Sequence, residues 1–298
     1  MKRAVVITNP QASRVERGAL EAALRHLRHG GLAVEVQRTA QRGHGESLAR
    51  AALESGADLV IAHGGDGTIM EVAAGMAGRS TPLGLLPAGT GNRLADNLGI
   101  AWETGDAVAT ILAGKTRALD LGRLTTSEGS RYFAVTAGCG FDADLMHRTG
   151  SAAKRDLGVG AYVAAAMKMG AAITRAHVQV ETDRELYAGH AAMVLVANCA
   201  SIIPLGSPMA PGIRPDDGEL DVLLVDFTTF ADAARVAWRM VIGEADRDEA
   251  VTMLRARRVS ITADPPLPSQ ADGEPHGHTP LAAELLPGAL TVLAPPDR

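Results

Sequence analysis

Aromatic residues are scarce in this sequence, at 3% of 298 residues. Hydrophobic residues reach 46%, which is enough for a substantial core. Because so few of them are aromatic, this core must consist mainly of alanine, valine and leucine. The two cysteines, Cys139 and Cys199, lack the spacing of a metal site, and we expect free thiols in a reducing compartment. Positive charge is not in excess either. The net charge of -5 argues against a nucleic-acid partner and against adhesion to anionic lipid by charge alone.

Long hydrophobic runs are also missing. No stretch reaches the roughly 18 apolar residues that are needed to span a bilayer. The apolar part of the N-terminus, Ala4 to Ile7, is too short for a signal peptide. We therefore expect a cytoplasmic protein, which must contact the inner membrane face if its substrate is a lipid. The length allows one large domain or two of ordinary size.

A glycine-rich turn follows one of the buried strands that the sequence predicts. The apolar run from Ala57 to Ala62 is typical of a parallel strand, and apolar residues recur at helical spacing from Ile69. Between them lies Gly64-Gly65-Asp66-Gly67-Thr68. Glycines let backbone N–H groups approach an anion, and the next helix points its positive dipole end at the same place. The carboxylate of Asp66 would repel a bare phosphate, but a bridging Mg²⁺ would remove the repulsion.

A tight turn without a ligand is the alternative interpretation of this stretch, and a second glycine turn argues against it. The buried strand Leu83 to Leu86 is followed by Pro87-Ala88-Gly89-Thr90-Gly91-Asn92. Ligands collect at the carboxyl ends of parallel strands, so two such turns would face the same crevice. The sequence therefore predicts nucleotide binding.

With these two motifs the chain resembles the diacylglycerol kinase catalytic family, which includes sphingosine and ceramide kinases. The first motif is shared with NAD kinases and 6-phosphofructokinases, and the second narrows the choice to the lipid kinases. The resemblance implies that the loop from Asn9 and the residue Thr39 contribute to ATP binding, although spacing alone favours an ordinary turn or cap residue. The nucleotide-binding residues expected are Asn9, Pro10, Gln11, Ala12, Ser13, Thr39, Gly64, Gly65, Asp66, Gly67, Thr68, Ile69, Met70, Gly89, Thr90, Gly91 and Asn92.

The chain has two halves of different pattern. Strands and helices alternate up to about residue 116, which predicts a doubly wound parallel sheet, and a period of two then dominates. We expect an α/β ATP-binding domain over residues 1–118, similar to NAD kinase and phosphofructokinase. The resemblance implies an antiparallel β-sandwich domain for the lipid substrate over 119–288, with a last strand near 289–298 returning to the first domain.

Local patterns predict several individual elements. We expect a helix over 46–54 with Leu48, Ala51, Ala52 and Leu53 inward, and a single strand over 131–142. Two further helices are expected near 160–173 and 230–242.

Two acidic turns lie in the second half. Residues 214–221 carry four carboxylates, which repel one another unless they are solvated or hold a cation, and a solvated hairpin turn is the simpler interpretation of the sequence alone. The resemblance implies a structural Mg²⁺ here. Its ligands would be the Asp217 carboxylate and the backbone oxygens of Arg214 and Glu219, with Asp120 connected through water.

The second acidic turn, Asp272-Gly273-Glu274, is by itself an ordinary turn. In the family that the chain resembles, a carboxylate here accepts the proton of the lipid hydroxyl, which is otherwise a poor nucleophile. The base would be Asp272 or Glu274, and Asp66 would orient the phosphates or their Mg²⁺.

The sequence thus favours an ATP-dependent lipid kinase of phospholipid biosynthesis. Diacylglycerol is the leading acceptor, although many bacterial relatives follow the second motif with Asp-Phe-Ala where this chain has Arg93-Leu94-Ala95. ATP, Mg²⁺ and a lipid at the membrane surface are the expected cofactors and partners, with no nucleic acid and with a homodimer left open. NAD kinase, which would make NADP without lipid, is one alternative. A non-catalytic nucleotide-binding regulator, which would bind ATP without turnover, is the other.

Overall fold

The computed structural model describes residues 2–12, 17–144, 146, 173–202 and 208–296. The chain divides into two compact units. The first comprises Met1–Leu119 and Pro287–Arg298, and the second comprises Asp120–Leu286.

The first unit is built on a parallel sheet with the strand order β2-β1-β3-β4-β16. The inner strands β1 and β3 are mostly buried because helices cover the sheet, which explains why they are continuous apolar runs in the sequence. Its elements are β1 (Lys2–Thr8), α1 (Arg17–His29), β2 (Leu32–Arg38), α2 (His44–Glu54), β3 (Leu59–Gly64), α3 (Asp66–Met76), β4 (Arg79–Pro87), α4 (Arg93–Asn97), α5 (Thr104–Ala113) and the end of β16 (Leu281–Leu293).

The face that α2 buries differs from the expected one. Gly45, Ala49 and Ala52 are buried, whereas Ala51 is exposed, so the prediction that Ala51 lies inward is wrong. The neighbouring α3 packs against α2 through Gly75, where an added Cβ would meet the backbone oxygen of Glu46. Small residues let the two helices approach closely, so side-chain size decides which face points inward.

The second unit contains two antiparallel sheets that enclose a common core. One has the order β12-β11-β10-β7-β14-β15, and in the other β13 pairs with β16 and β8, and β8 with β9. The elements are β5 (Thr116–Thr126), β6 (Gly129–Phe133), β7 (Thr136–Gly140), β8 (Ala176–Thr182), β9 (Leu186–Ala191), β10 (Met193–Ala197), β11 (Leu220–Val225), α6 (Phe230–Ile242), β12 (Val251–Ala256), β13 (Arg258–Asp264), β14 (Pro268–Ala271), β15 (Glu274–His278) and β16.

Residues facing this core alternate along the strands, as in Val178 and Val180 of β8 and Val194 and Val196 of β10. The expected fold class is therefore confirmed: a parallel-sheet α/β unit and an antiparallel β-sandwich. The expected helix at 230–242 is present as α6. The one expected near 160–173 lies outside the described residues, apart from its last position.

The single strand expected over 131–142 is wrong. Two strands, β6 and β7, occupy this stretch and pair with different partners, β5 and β10 respectively. The break falls at Ala134-Val135, where the backbone N–H groups donate to the carboxylate of Asp272 instead of to a neighbouring strand. The strand thus ends because of a side chain that lies 138 residues away in the sequence, and the local sequence pattern contains no signal of this contact.

No helix within the described ranges is long and apolar enough to cross a membrane.

Candidate nucleotide site and carboxylate turns

The two glycine turns meet at the carboxyl ends of adjacent parallel strands. Gly64 at the end of β3 lies opposite Pro87 at the end of β4, and the Ala88 N–H donates to the Gly64 oxygen at 2.8 Å. A Cβ added to Gly89 would lie 2.6 Å from the Cα of Gly65, so the two backbones are in direct contact. Only glycine at these positions allows this approach.

The first turn presents an open rim to solvent. Gly67 is exposed, and a Cβ built on it would meet nothing within 4 Å. Helix α3 begins at Asp66, so its unpaired N–H groups and the positive end of its dipole lie at this rim. An anion as large as a phosphate could therefore be bound here by backbone groups.

Asp66 joins the two turns. One carboxylate oxygen accepts the backbone N–H of Arg93 at 2.6 Å, and the other lies 3.9 Å from the Arg93 guanidinium. About a fifth of the Asp66 side chain is exposed, at 22%. A Cβ on Gly91 would collide with this carboxylate. Arg93, whose only signal in the sequence is its departure from the family pattern, is thus part of the candidate site.

The second turn is held by Asn92. Its side chain is buried and both accepts the Gly89 N–H and donates to the Gly89 oxygen, each at 2.9 Å. Its backbone has a left-handed conformation, with φ of 49°, which asparagine tolerates better than most residues. Asn92 therefore shapes the turn from within.

The loop after β1 reaches the same strand ends. The side-chain amide nitrogen of Asn9 donates to the Thr68 hydroxyl at 3.2 Å, and the side-chain oxygen Oδ1 of Asn9 accepts the N–H of Gln11 at 2.9 Å. Thr39 follows β2, and its N–H donates to the Thr8 oxygen. The structure thus brings Asn9 to the first glycine turn and places Thr39 at the same edge of the sheet.

Other residues of the predicted nucleotide set lie elsewhere around these turns. Ile69 and Met70 are buried in α3, where their side chains pack in the core. Pro10 and Ala12 belong to the loop after β1, and Thr90 is half-buried. Ser13 lies outside the described residues.

His63 is a neighbour that the sequence analysis did not single out. Its ring nitrogen lies 2.7 Å from the Thr8 hydroxyl, and burial lowers its pKa to about 4. It is therefore neutral near pH 7 and adds no charge behind the glycine turns. Its only sequence signal is its position immediately before Gly64.

Asp272 and Gly273 form the two-residue turn of the hairpin between β14 and β15. Their φ angles are 48° and 80°, as expected for an Asp-Gly turn of this kind. The Asp272 carboxylate accepts the N–H groups of Ala134, Val135 and Thr136 at 2.8, 2.9 and 3.0 Å. Three charge-assisted hydrogen bonds hold this carboxylate in one position. Glu274 follows at the start of β15 and is half-buried.

The acidic turn at 214–221 contains arginine as well as carboxylates. The Arg255 guanidinium pairs with Asp217 and lies 3.1 Å from Glu219 and 3.3 Å from Asp221. Arg184 pairs with Glu219, and this hydrogen bond lowers the pKa of Glu219. These two guanidinium groups thus face three of the four carboxylates of the turn, and the fourth, Asp216, pairs with Arg214.

The arrangement does not fit a magnesium ion bound by the Asp217 carboxylate. That carboxylate already faces Arg255 and accepts the Glu219 N–H at 3.1 Å. Asp120 accepts the Gly218 N–H at 2.8 Å and so fixes the turn directly. Among the residues that the structure describes, no three His, Cys, Asp or Glu side chains gather as they would around a metal ion.

Two family models match the chain. The diacylglycerol kinase catalytic domain matches residues 3–124, and the YegS C-terminal NAD kinase beta sandwich-like domain matches residues 135–294. A diacylglycerol kinase of Bacillus subtilis is 32% identical over 285 residues, which cover 94% of this chain and 92% of that protein. A probable lipid kinase, YegS-like, of Chromohalobacter salexigens is 33% identical over 92% of this chain and 88% of that protein.

A solved structure of a diacylglycerol kinase from Bacillus anthracis has the same fold. Its TM-score is 0.76 at 21% identity, and the match covers 99% of this chain and 97% of that one.

The fold and the paired glycine turns define an α/β protein of the nucleotide-binding kind with an appended β-sandwich. With the matches above, the chain belongs to the family of diacylglycerol kinases and YegS-like lipid kinases. Membership of a kinase family implies ATP as a substrate.

Proposed function

We propose that this protein transfers the γ-phosphoryl group of MgATP to the hydroxyl of a lipid, with diacylglycerol as the leading acceptor and phosphatidic acid as the product. The observation that carries the proposal is the backbone contact of Gly65 and Gly89 at adjacent strand ends. Two glycine turns there supply N–H groups for several phosphates at once.

We propose the first unit as the nucleotide-binding domain and the second as the domain that binds the lipid. Asp66 would bind the Mg²⁺ that accompanies ATP or orient its phosphates, since its carboxylate is partly exposed at the rim of the glycine turns. Arg93 limits the cost of bringing this carboxylate close to phosphate. The base that accepts the lipid proton would be Asp272 or Glu274.

The proposal is tested by transfer of label from γ-labelled ATP into extracted lipid. The acceptors are diacylglycerol, monoacylglycerol, sphingosine and phosphatidylglycerol in mixed micelles, and NAD without lipid serves as a separate acceptor. We expect label in one lipid and none in NADP. Label in NADP alone, or ATP binding with no turnover on any acceptor, would contradict the proposal.

Asp66→Asn is expected to lower kcat by about 100-fold or more, because charge placed against the transferring phosphates is lost. The matched control is Asp106→Asn, which changes an aspartate in the first turn of α5 in the same unit. Asp272→Asn and Glu274→Gln are compared in the same assay. The base is the residue whose variant loses transfer and keeps the wild-type KM for ATP.

A further inference from the structure

Asp142 is a buried carboxylate that the proposed reaction does not use. Only 5% of the residue is exposed, and burial raises the pKa of its carboxyl group to about 6. Its Oδ2 accepts a hydrogen bond from the Gln270 side chain at 3.0 Å, and its Oδ1 is buried without a hydrogen-bond partner among the residues that the structure describes. Burying an ionised carboxylate in this environment lowers the stability of the fold, and burying a leucine of similar size at the same position would lower it less.

Gln270 connects this carboxylate to the hairpin turn of the proposed base. It lies on β14 opposite Gly138 of β7 and is 1% exposed. Its Nε2 donates to Asp142, and its Oε1 accepts the N–H of Gly273 at 2.7 Å. Gly273 lies between Asp272 and Glu274. The row of hydrogen bonds from Asp142 through Gln270 therefore ends on the backbone of the turn that carries both candidates for the base.

The ionised Asp142 fixes which way the Gln270 amide points. A glutamine side chain has a donor end and an acceptor end, whereas an ionised carboxylate only accepts. With Asp142 on one side, the NH₂ group must face it, and the carbonyl oxygen must therefore face Gly273. With an apolar residue at 142, the Gln270 amide could adopt either orientation. In the flipped orientation its NH₂ group would face the Gly273 N–H, and two donors would oppose each other.

We infer that Asp142 and Gln270 are positioning residues that hold the Asp272-Gly273-Glu274 turn for the proton acceptor of the phosphoryl transfer. The inference rests on the proposed function. Both residues are buried and are therefore not placed to contact a bound substrate themselves. Both act through the Gly273 N–H, and a misplacement of about 1 Å at a reacting group can lower a rate by about 100-fold.

A reciprocal exchange of the two side chains tests the inference. Gln270→Glu alone sets two carboxylates against each other and should lower kcat by about 10-fold or more, with the KM for ATP within about 2-fold of wild type. The double variant Asp142→Asn with Gln270→Glu restores the hydrogen bond between the two side chains with donor and acceptor exchanged. The amide introduced at position 142 then donates to the new carboxylate, which also accepts the Gly273 N–H. We expect its kcat to return to within about 3-fold of wild type.

The control is Gln179→Glu, the same substitution at an exposed position of β8. All variants are assayed below their unfolding temperatures, which are measured separately. Wild-type kcat in Gln270→Glu would overturn the inference, as would a double variant that regains stability without regaining kcat.

A wild-type protein that phosphorylates no acceptor would defeat the proposed function and leave the positioning of the turn to a second measurement. Hydrogen exchange at the Gly273 amide then decides whether the turn is held as described. Exchange should be slow in the wild type and the double variant and faster in Gln270→Glu. Equal rates in all three would overturn the inference.

Discussion

Asp66 and Asp272 are both aspartates in turns that follow strands, but their carboxylates have different surroundings. Asp66 accepts one backbone N–H, from Arg93, and is partly exposed among glycines. Asp272 accepts three backbone N–H groups and ends a strand far away in the sequence. Substitution of Asp272 therefore removes a structural anchor as well as a carboxylate, whereas Glu274→Gln does not touch this anchor.

Asp142 gives the protein a pH-dependent stability. Its folded-state pKa of about 6 lies above the ordinary value of 3.8, so the folded state binds more protons than the unfolded state between these values. The contribution of Asp142 is most favourable at low pH and is lost as the pH rises through about 6. The loss is on the order of 2–3 kcal/mol.

We therefore expect Asp142→Asn to gain stability relative to the wild type as the pH rises from 4 to 7, and the difference to be constant above that. Other carboxylates titrate equally in both proteins and cancel from the comparison. Urea unfolding at each pH measures the two free energies of unfolding. A difference that does not change with pH would show that Asp142 is not a buried, titrating group.

At the scale of elements, the acidic turn before β11 is neutralised by arginines of β12 and of the turn between β8 and β9. Arg255 lies on β12 and faces Asp217, Glu219 and Asp221. Asp221 is 3% exposed, and burial raises its pKa to about 6 even with Arg255 beside it. Removing the guanidinium would leave this carboxylate without compensation.

Arg255→Met is accordingly expected to lower the free energy of unfolding by about 1–3 kcal/mol near pH 7. Arg258→Met, which changes the more exposed arginine of β13, should stay within about 0.5 kcal/mol of the wild-type free energy of unfolding.

Because the arginines supply the positive charge of the acidic turn, EDTA and excess Mg²⁺ should give the same unfolding temperature in the absence of nucleotide. A clear loss of stability in EDTA would instead assign a resident metal ion to the turn.

Sequence periodicity located most elements but not their breaks and contacts. The bounds of α6 and the last residue of α2 follow from apolar spacing within each element. The break between β6 and β7 depends on Asp272, and the inward face of α2 depends on Gly75 of α3. Neither is encoded locally, so a pattern confined to one segment could not predict it.

At the scale of the whole molecule, the two classes of fold were predictable because the hydrophobic period changes from helical to alternating near residue 116. The glycine turns were predictable because a close approach of two backbones needs residues without a Cβ. Arg93, Gln270 and Asp142 were not, since each acts through one partner that is distant in sequence or through a single backbone N–H.

The assignment of the glycine turns to the nucleotide depends on the contact of Gly65 with Gly89, and Gly89→Ala removes this contact. The added Cβ would lie 2.6 Å from the Gly65 backbone, so the two turns must separate. Gly18→Ala is the matched control, because a Cβ there meets nothing within 4 Å.

The measurement is the rate at which label passes from γ-labelled ATP into lipid, with folding of each variant checked by its unfolding transition. We expect Gly89→Ala to remain folded and to lose about 100-fold or more in rate, whereas Gly18→Ala keeps the wild-type rate. A folded Gly89→Ala protein that transfers label as fast as the wild type would contradict the assignment of the paired glycine turns to the nucleotide.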